Sequence, residues 1–490
     1  MAELHSARPA ESGPHAAPAG SGRPDGVGAT MTVVHPAVAY APGVVPEPLA
    51  EPVRPIQFLR LLRDNQLSVY TRDSFTTDFG EARLLFHNFV LLNEPDFIEH
   101  ILVTNHQNYV KGHLARQVLE WALGNSLLIS EGDFWRRQRR IIAPAFHHQH
   151  LARAAHVMVR RARQRVERWR TPSERGERLD IAHEMMSLTM EIVAEALFSS
   201  DIANSIDELG RAMTTLHASL GTPNPLDILG FPAWFPRWRS HRTRSALARL
   251  DRMIYGIIAA RRATRKGPDD LLGLLLVARD EETGEGMTDR QLRDEVLTFF
   301  AAGHETTALA LTWTLYLLSR HPGIERALHD EVDRAPGEGE TTFADLEALS
   351  YTRMVIEEAM RLFPPGHSLS RAAIADDEVG GHAIRAGSVV TISPYLTHRN
   401  PRLWENPLRF DPERFTPDRV KARHRFAYFP FGGGPRICIG RGFAMTEACV
   451  VLATMARAYR LRMAPGHRVE AHGGITLRPR YGLRMTLEPR

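Results

Sequence analysis

Apolar residues recur at helical spacing through the middle of this 490-residue chain, from residue 133 to about 322. Proline- and glycine-rich stretches at residues 221–225 and 232–236 interrupt the pattern. The densest apolar run, residues 296–318, is long enough to cross a bilayer. His304 and Glu305 stand at its centre, where charge is costly in lipid, so it reads as a buried central helix. Strand-like alternation appears towards both ends. Residues 75–93 read as a strand pair with a turn at His87 and Asn88, and Glu94-Pro95 opens a short helix towards Val103. Strands return over residues 372–393, with a hairpin turn at Gly380-Gly381. A last helix runs from Gly442 to about Tyr459 and strands follow it. The expected fold is mainly α with a small β-rich lobe.

Residues 1–45 are rich in Ala, Pro, Gly and Ser, and read as a disordered tail ahead of a single domain over residues 46–490. The tail has neither a secretory layout nor an apolar span, so no transmembrane anchor is expected. A net charge of +4 is too small to imply nucleic acid. Two cysteines cannot build a disulfide framework or a zinc site, which suits a cytoplasmic protein. Almost all positive charge is arginine; the lysines are Lys111, Lys266 and Lys421.

Chemistry concentrates in FGGGPRICIG, residues 431–440, which puts Cys438 in a glycine-rich loop ahead of the last helix. A single thiolate is the donor that a haem iron uses. Gly432, Gly433, Gly434 and Gly440 would permit positive φ and close approach to a flat macrocycle. The competing reading is a structural cysteine in a tight turn, which is the natural one for Cys449, eleven residues further on in an apolar helix. On the central helix, Gly303 among bulky neighbours suggests that something flat approaches there, and the Thr306 hydroxyl can bond the Ala302 carbonyl. Glu305 supplies an acid beside it. Glu358 and Arg361, three apart, share a helix face that ends at Pro364-Pro365. Trp135 and Arg139, four apart, lie on a basic amphipathic segment.

Together, in this order and over roughly residues 50–490, these segments resemble the cytochrome P-450 family: WxxxR, the oxygen-activation motif [AG]Gx[DE]T[TS], ExxR and the cysteine loop. The resemblance implies that haem b lies between the central helix and the cysteine loop, with Cys438 as the iron ligand. Trp135, Arg139, Arg371 and Arg436 would serve the haem propionates, with His113 a weaker candidate. Phe431, Gly432, Gly440 and Ala302 would border the cofactor. Thr306 and Glu305 would handle protons. Glu358, Arg361 and Arg414 would form a structural ion-pair network. Leu114, Val118, Phe299, Ala302, Leu369 and Ile475 would line an apolar substrate pocket. The HRNP segment at residues 398–401 and FDPERF at residues 410–415 resemble the long-form lineage, here without its anchor, as in soluble bacterial members.

The activity so implied is a haem-thiolate monooxygenase. It would activate dioxygen with two electrons from a ferredoxin or flavodoxin and its reductase, and hydroxylate a terpenoid, fatty acid or steroid-like molecule. Arg136, Arg137 and Arg140, with Lys421, Arg423, Arg425 and Arg441, would ring the docking face of that donor. Trp234 and Phe235 suggest a lid, a membrane-touching loop or a packed loop. Two alternatives stay open: a peroxygenase or isomerase needing no reductase, and a non-catalytic haem sensor.

Overall fold

The computed structural model describes residues 43–84, 87–199, 206–220, 240–264, 270–335 and 344–490. Nearly all of the expected tail, both proline-rich interruptions, Trp234 and Phe235 lie outside them.

The helices that position the site are α1 (His113–Leu123), α2 (Gly132–Ile142), α3 (His148–Arg168), α4 (Ile181–Phe198), α5 (Asp289–Arg320), α6 (Ser350–Leu362) and α7 (Arg441–Ala458). α5 is the predicted central helix. Thr288 starts it with a capping box, accepting from the Gln291 backbone while the Gln291 side chain accepts from Thr288. Its apolar residues are buried nearly all round, as for a helix running through a core. Trp313 stacks on Phe363, at the end of α6, with ring centroids 4.2 Å apart. No described helix is long and apolar enough to cross a membrane.

The β-rich lobe is a five-stranded sheet of β1 (Phe79–Leu84), β2 (His87–Leu92), β3 (Tyr109–Val110), β4 (Leu369–Ala373) and β5 (Val389–Ile392). Its strand order is β1-β2-β5-β4-β3. Only the β2–β5 pairing is parallel, with Phe89 opposite Val389. The turn expected at His87 and Asn88 is displaced: both residues already belong to β2, opposite Leu84 and Arg83. The polar Asn88 imitated a turn signal. Gly380 and Gly381 do make their hairpin turn, with φ of +57° and +82°. Near the C terminus, β6 (Ala471–Gly473) and β7 (Leu477–Pro479) form a second hairpin.

Candidate active site

The cysteine loop is shaped from behind. The Cys438 backbone N–H donates to the Phe431 carbonyl at 3.0 Å, closing the loop. Gly432 and Gly434 take φ of +70° and +65°. A Cβ at Gly434 would overlap the Leu102 carbonyl, and one at Gly433 would overlap the Phe426 ring. These two glycines therefore let the loop pack on protein, where the sequence reading had them approaching a flat ligand. Gly433 and Gly440 also lack the expected positive φ, at −158° and −84°. The Cys438 side chain is accessible, yet enough protein surrounds it that burial pushes its thiol up. The Gly440 N–H, Arg139 and Arg441 act in the opposite direction.

On α5 the Thr306 hydroxyl donates to the Ala302 carbonyl at 2.7 Å. Ala302 is exposed and Gly303 and Thr306 are half-buried, amid buried neighbours on the same helix. The helix is open along this stripe. Gly303 has a different reason for being small: a Cβ there would come within 3.3 Å of Val193 on α4. Tight packing against α4 is thus a second reason for a small residue here. Glu305 is buried, and its Oε1 accepts from the Thr476 hydroxyl at 2.7 Å. His304 faces the packed side, where its Nδ1–H donates to the Phe300 carbonyl at 2.7 Å.

α2, β4 and the cysteine loop bring the predicted cationic residues together. The Arg436 guanidinium donates to the Ser130 carbonyl at 2.7 Å, pairs with Glu131, and lies 3.9 Å over the Trp135 ring. Arg371 is 6% exposed on β4 and donates to the Ser370 carbonyl. Arg139 lies near enough to Cys438 for each to influence the other's proton. Sequence reasoning missed Lys111. Burial, then Arg371 and Arg436, lower its pKa to about 7, while Glu131 opposes them. Arg436 is lowered by burial to about 10. The only signal for Lys111 was a lysine retained in an arginine-rich chain. The His113 side chain lies outside the described residues.

Arg371, Arg436 and the partly charged Lys111 thus gather around Glu131, with Arg139 beside Arg436, a cluster that the described carboxylates leave positive. A cofactor carrying two carboxylates and a thiolate-binding metal fits this arrangement. Bonding to a metal cation would also deprotonate the Cys438 thiol against its burial.

The predicted ion-pair network is present. Arg361 forks onto Glu358 at 2.6 and 2.8 Å, both side chains fully buried. The spare Arg361 donors reach the carbonyls of His398, Pro407 and Arg409 at 2.7 to 3.0 Å. Arg414 approaches Glu358 at 3.4 Å.

The pocket candidates divide. Ile475 is exposed in the β6–β7 hairpin, next to the Thr476 that holds Glu305. Leu369 lies within 3.7 Å of where a Gly432 Cβ would be. Val118 is half-buried on α1, while the Leu114 side chain lies outside the described residues. Phe299 turns edge-on to Phe146, with ring centroids 5.5 Å apart, and packs into the core beside α2 and α4.

The α2 half of the expected basic docking ring is neutralised. Arg137 and Arg140 both pair with the buried Asp280, with Glu285 and Glu282 as second partners, and Arg136 pairs with Asp133. Arg423 lies over the Trp404 and Phe415 rings, 4.2 and 4.9 Å from their centroids. Lys421, Arg425 and Arg441 remain exposed.

An accessible cysteine on a glycine-shaped loop, an opened central helix and an under-neutralised cationic pocket define a haem-thiolate protein. The family model described as Cytochrome P450 matches residues 58–479. The chain belongs to the cytochrome P450 family; it is a cytochrome P450 monooxygenase, and its cofactor is haem b. It is 39% identical over 417 residues to cyclooctatin synthase of Streptomyces melanosporofaciens, covering 84% of this chain and 89% of that one. It is 36% identical over 433 residues to cyclooctat-9-en-7-ol 5-monooxygenase of the same organism, covering 87% and 90%. The crystal structure of the cytochrome P450DA heme domain superposes with a TM-score of 0.77 at 27% identity, covering 92% of this chain and 98% of that one.

Proposed function

We propose that this chain hydroxylates a lipophilic small molecule of terpenoid type in the cytoplasm. Its two electrons come from a separate ferredoxin or flavodoxin with its reductase. Bound haem supplies the activation of dioxygen for insertion into a C–H bond. Cys438 is the iron ligand, and Phe431, Gly432 and Gly440 frame its loop. Trp135, Arg139, Arg371 and Arg436, joined by Lys111, hold the propionates. Glu358, Arg361 and Arg414 brace the segment before the cysteine loop.

Thr306 and Glu305 manage protons. The Thr306 proton is committed to the Ala302 carbonyl, so towards a ligand the hydroxyl offers its lone pairs and orients a donor such as water. Glu305 belongs to the proton relay, its carboxyl group anchored by Thr476. Ala302, Val118, Leu369 and Ile475 supply apolar surface that excludes water and orients the substrate.

The observation that carries this reading is the Thr306–Ala302 bond on the open stripe of an otherwise buried helix. The substrate class rests on the similarity to a relative named as a monooxygenase of cyclooctat-9-en-7-ol. The test is turnover with reduced ferredoxin and reductase across a panel of terpenoid alcohols and hydrocarbons. The expected product carries one oxygen atom from dioxygen. Turnover that runs on peroxide and ignores ferredoxin overturns the reading.

A further inference from the structure

His398 opens the HRNP segment, which the chemistry above does not use, and it is fully buried. It makes two bonds in opposite directions. Its carbonyl accepts from Arg361 at 2.7 Å, joining it to the Glu358 ion pair. Its ring Nε2 accepts the backbone N–H of Phe429 at 3.0 Å. From Phe429 the bonding continues, because the Phe429 carbonyl accepts from the Gly432 N–H at 2.9 Å. Two residues on, Phe431 holds the Cys438 N–H.

A backbone N–H can only donate, so Nε2 must be unprotonated and the neutral ring carries its proton on Nδ1. Nδ1 has no hydrogen-bond partner among the described residues. The ring is wedged between Tyr428 and Phe429, with centroids 5.1 and 5.3 Å away. Burial above all, and then the charges of Arg361, Arg399 and Arg423, hold its pKa well below the usual histidine range. The bond to Phe429 is therefore maintained through the working pH range.

We propose that His398 is a positioning residue for the Cys438 thiolate: its neutral imidazole fixes the Phe429 N–H and so couples the Glu358–Arg361 pair to the cysteine loop. This rests on the reading of Cys438 as the iron ligand. A segment that merely filled space would need the ring's volume but not its acceptor. The acceptor should matter separately, because a buried N–H left without a partner costs more than an ordinary hydrogen bond returns.

The experiment compares full-length holoenzyme with His398→Gln and His398→Leu. Each is reduced under carbon monoxide, and conversion of the far-red-shifted thiolate form to the blue-shifted form is followed in mild guanidinium. Gln retains an acceptor and should convert within about twofold of the native rate; Leu should convert about tenfold faster. Equal rates for Leu and native protein overturn the proposal, as does an equally fast rate for Gln. If His398→Leu does not take up haem, amide exchange at Phe429 in the native holoenzyme decides. Strong protection supports the bond, and exchange at the rate of an exposed amide overturns it. A native protein that never shows the red-shifted form removes the Cys438 reading, an outcome distinct from failure of the His398 proposal.

Discussion

The guanidinium of Arg436 lies 3.9 Å above the indole of Trp135, while its donors hold Ser130 and Glu131. One arginine thus clamps the cysteine loop to α2, and the indole sets the plane of the clamp. Trp135→Ala removes a partly desolvated cation–π contact of about 1–2 kcal/mol. Haem transfer to an apo-acceptor should quicken about 5- to 30-fold, and less for Trp135→Phe.

Thr306→Ala leaves the Ala302 carbonyl without its side-chain donor and removes the lone pairs proposed to orient water. Thermal stability should hardly change, since the hydroxyl is half-exposed. Product formed per oxygen consumed should fall roughly tenfold or more, with peroxide rising in proportion. Simultaneous assay of oxygen, product and peroxide checks this.

Lys111 gives a pH signature. Its folded pKa is depressed to about 7 from an ordinary 10.5, so unfolding takes up a proton between those values. The contribution is fully favourable above the unfolded pKa and is lost as pH falls through the folded one. Stability of the haem-free protein should therefore rise with pH over that window. Lys111→Met should flatten the rise and gain most near pH 7. Guanidinium titrations of both proteins across the window measure it.

Glu358→Gln leaves the Arg361 charge fully buried without a counter-ion. The expected cost is about 3–5 kcal/mol. Arg361 also organises three carbonyls of the segment before the cysteine loop, so the holoenzyme yield should collapse with stability. Expression followed by haem quantification reads this directly.

What could be read from the sequence follows the range of each interaction. The Thr306–Ala302 bond spans four residues and the Glu358–Arg361 pair spans three, so spacing alone exposed them. The Gly380-Gly381 turn was equally local. Glu131 and Arg436 are 305 residues apart, and no local pattern could reveal that a carboxylate sits inside the cationic pocket or that Lys111 joins it. The same limit made Arg137 and Arg140 look like a free basic face. Their partner Asp280 lies about 140 residues away in sequence. The packing constraint on Gly303 was hidden in the same way, because its neighbour, Val193, belongs to another helix.

Thr476 reaches 171 residues back to grip the Glu305 carboxylate, and the side chain just before it, Ile475, faces outward from the same hairpin turn. On the roles proposed for Ile475 and Glu305, selectivity and acid delivery would share this one turn. A variant selected at position 475 for a bulkier guest would then also shift the anchor of the proposed acid, so new specificity would arrive with altered oxygen economy.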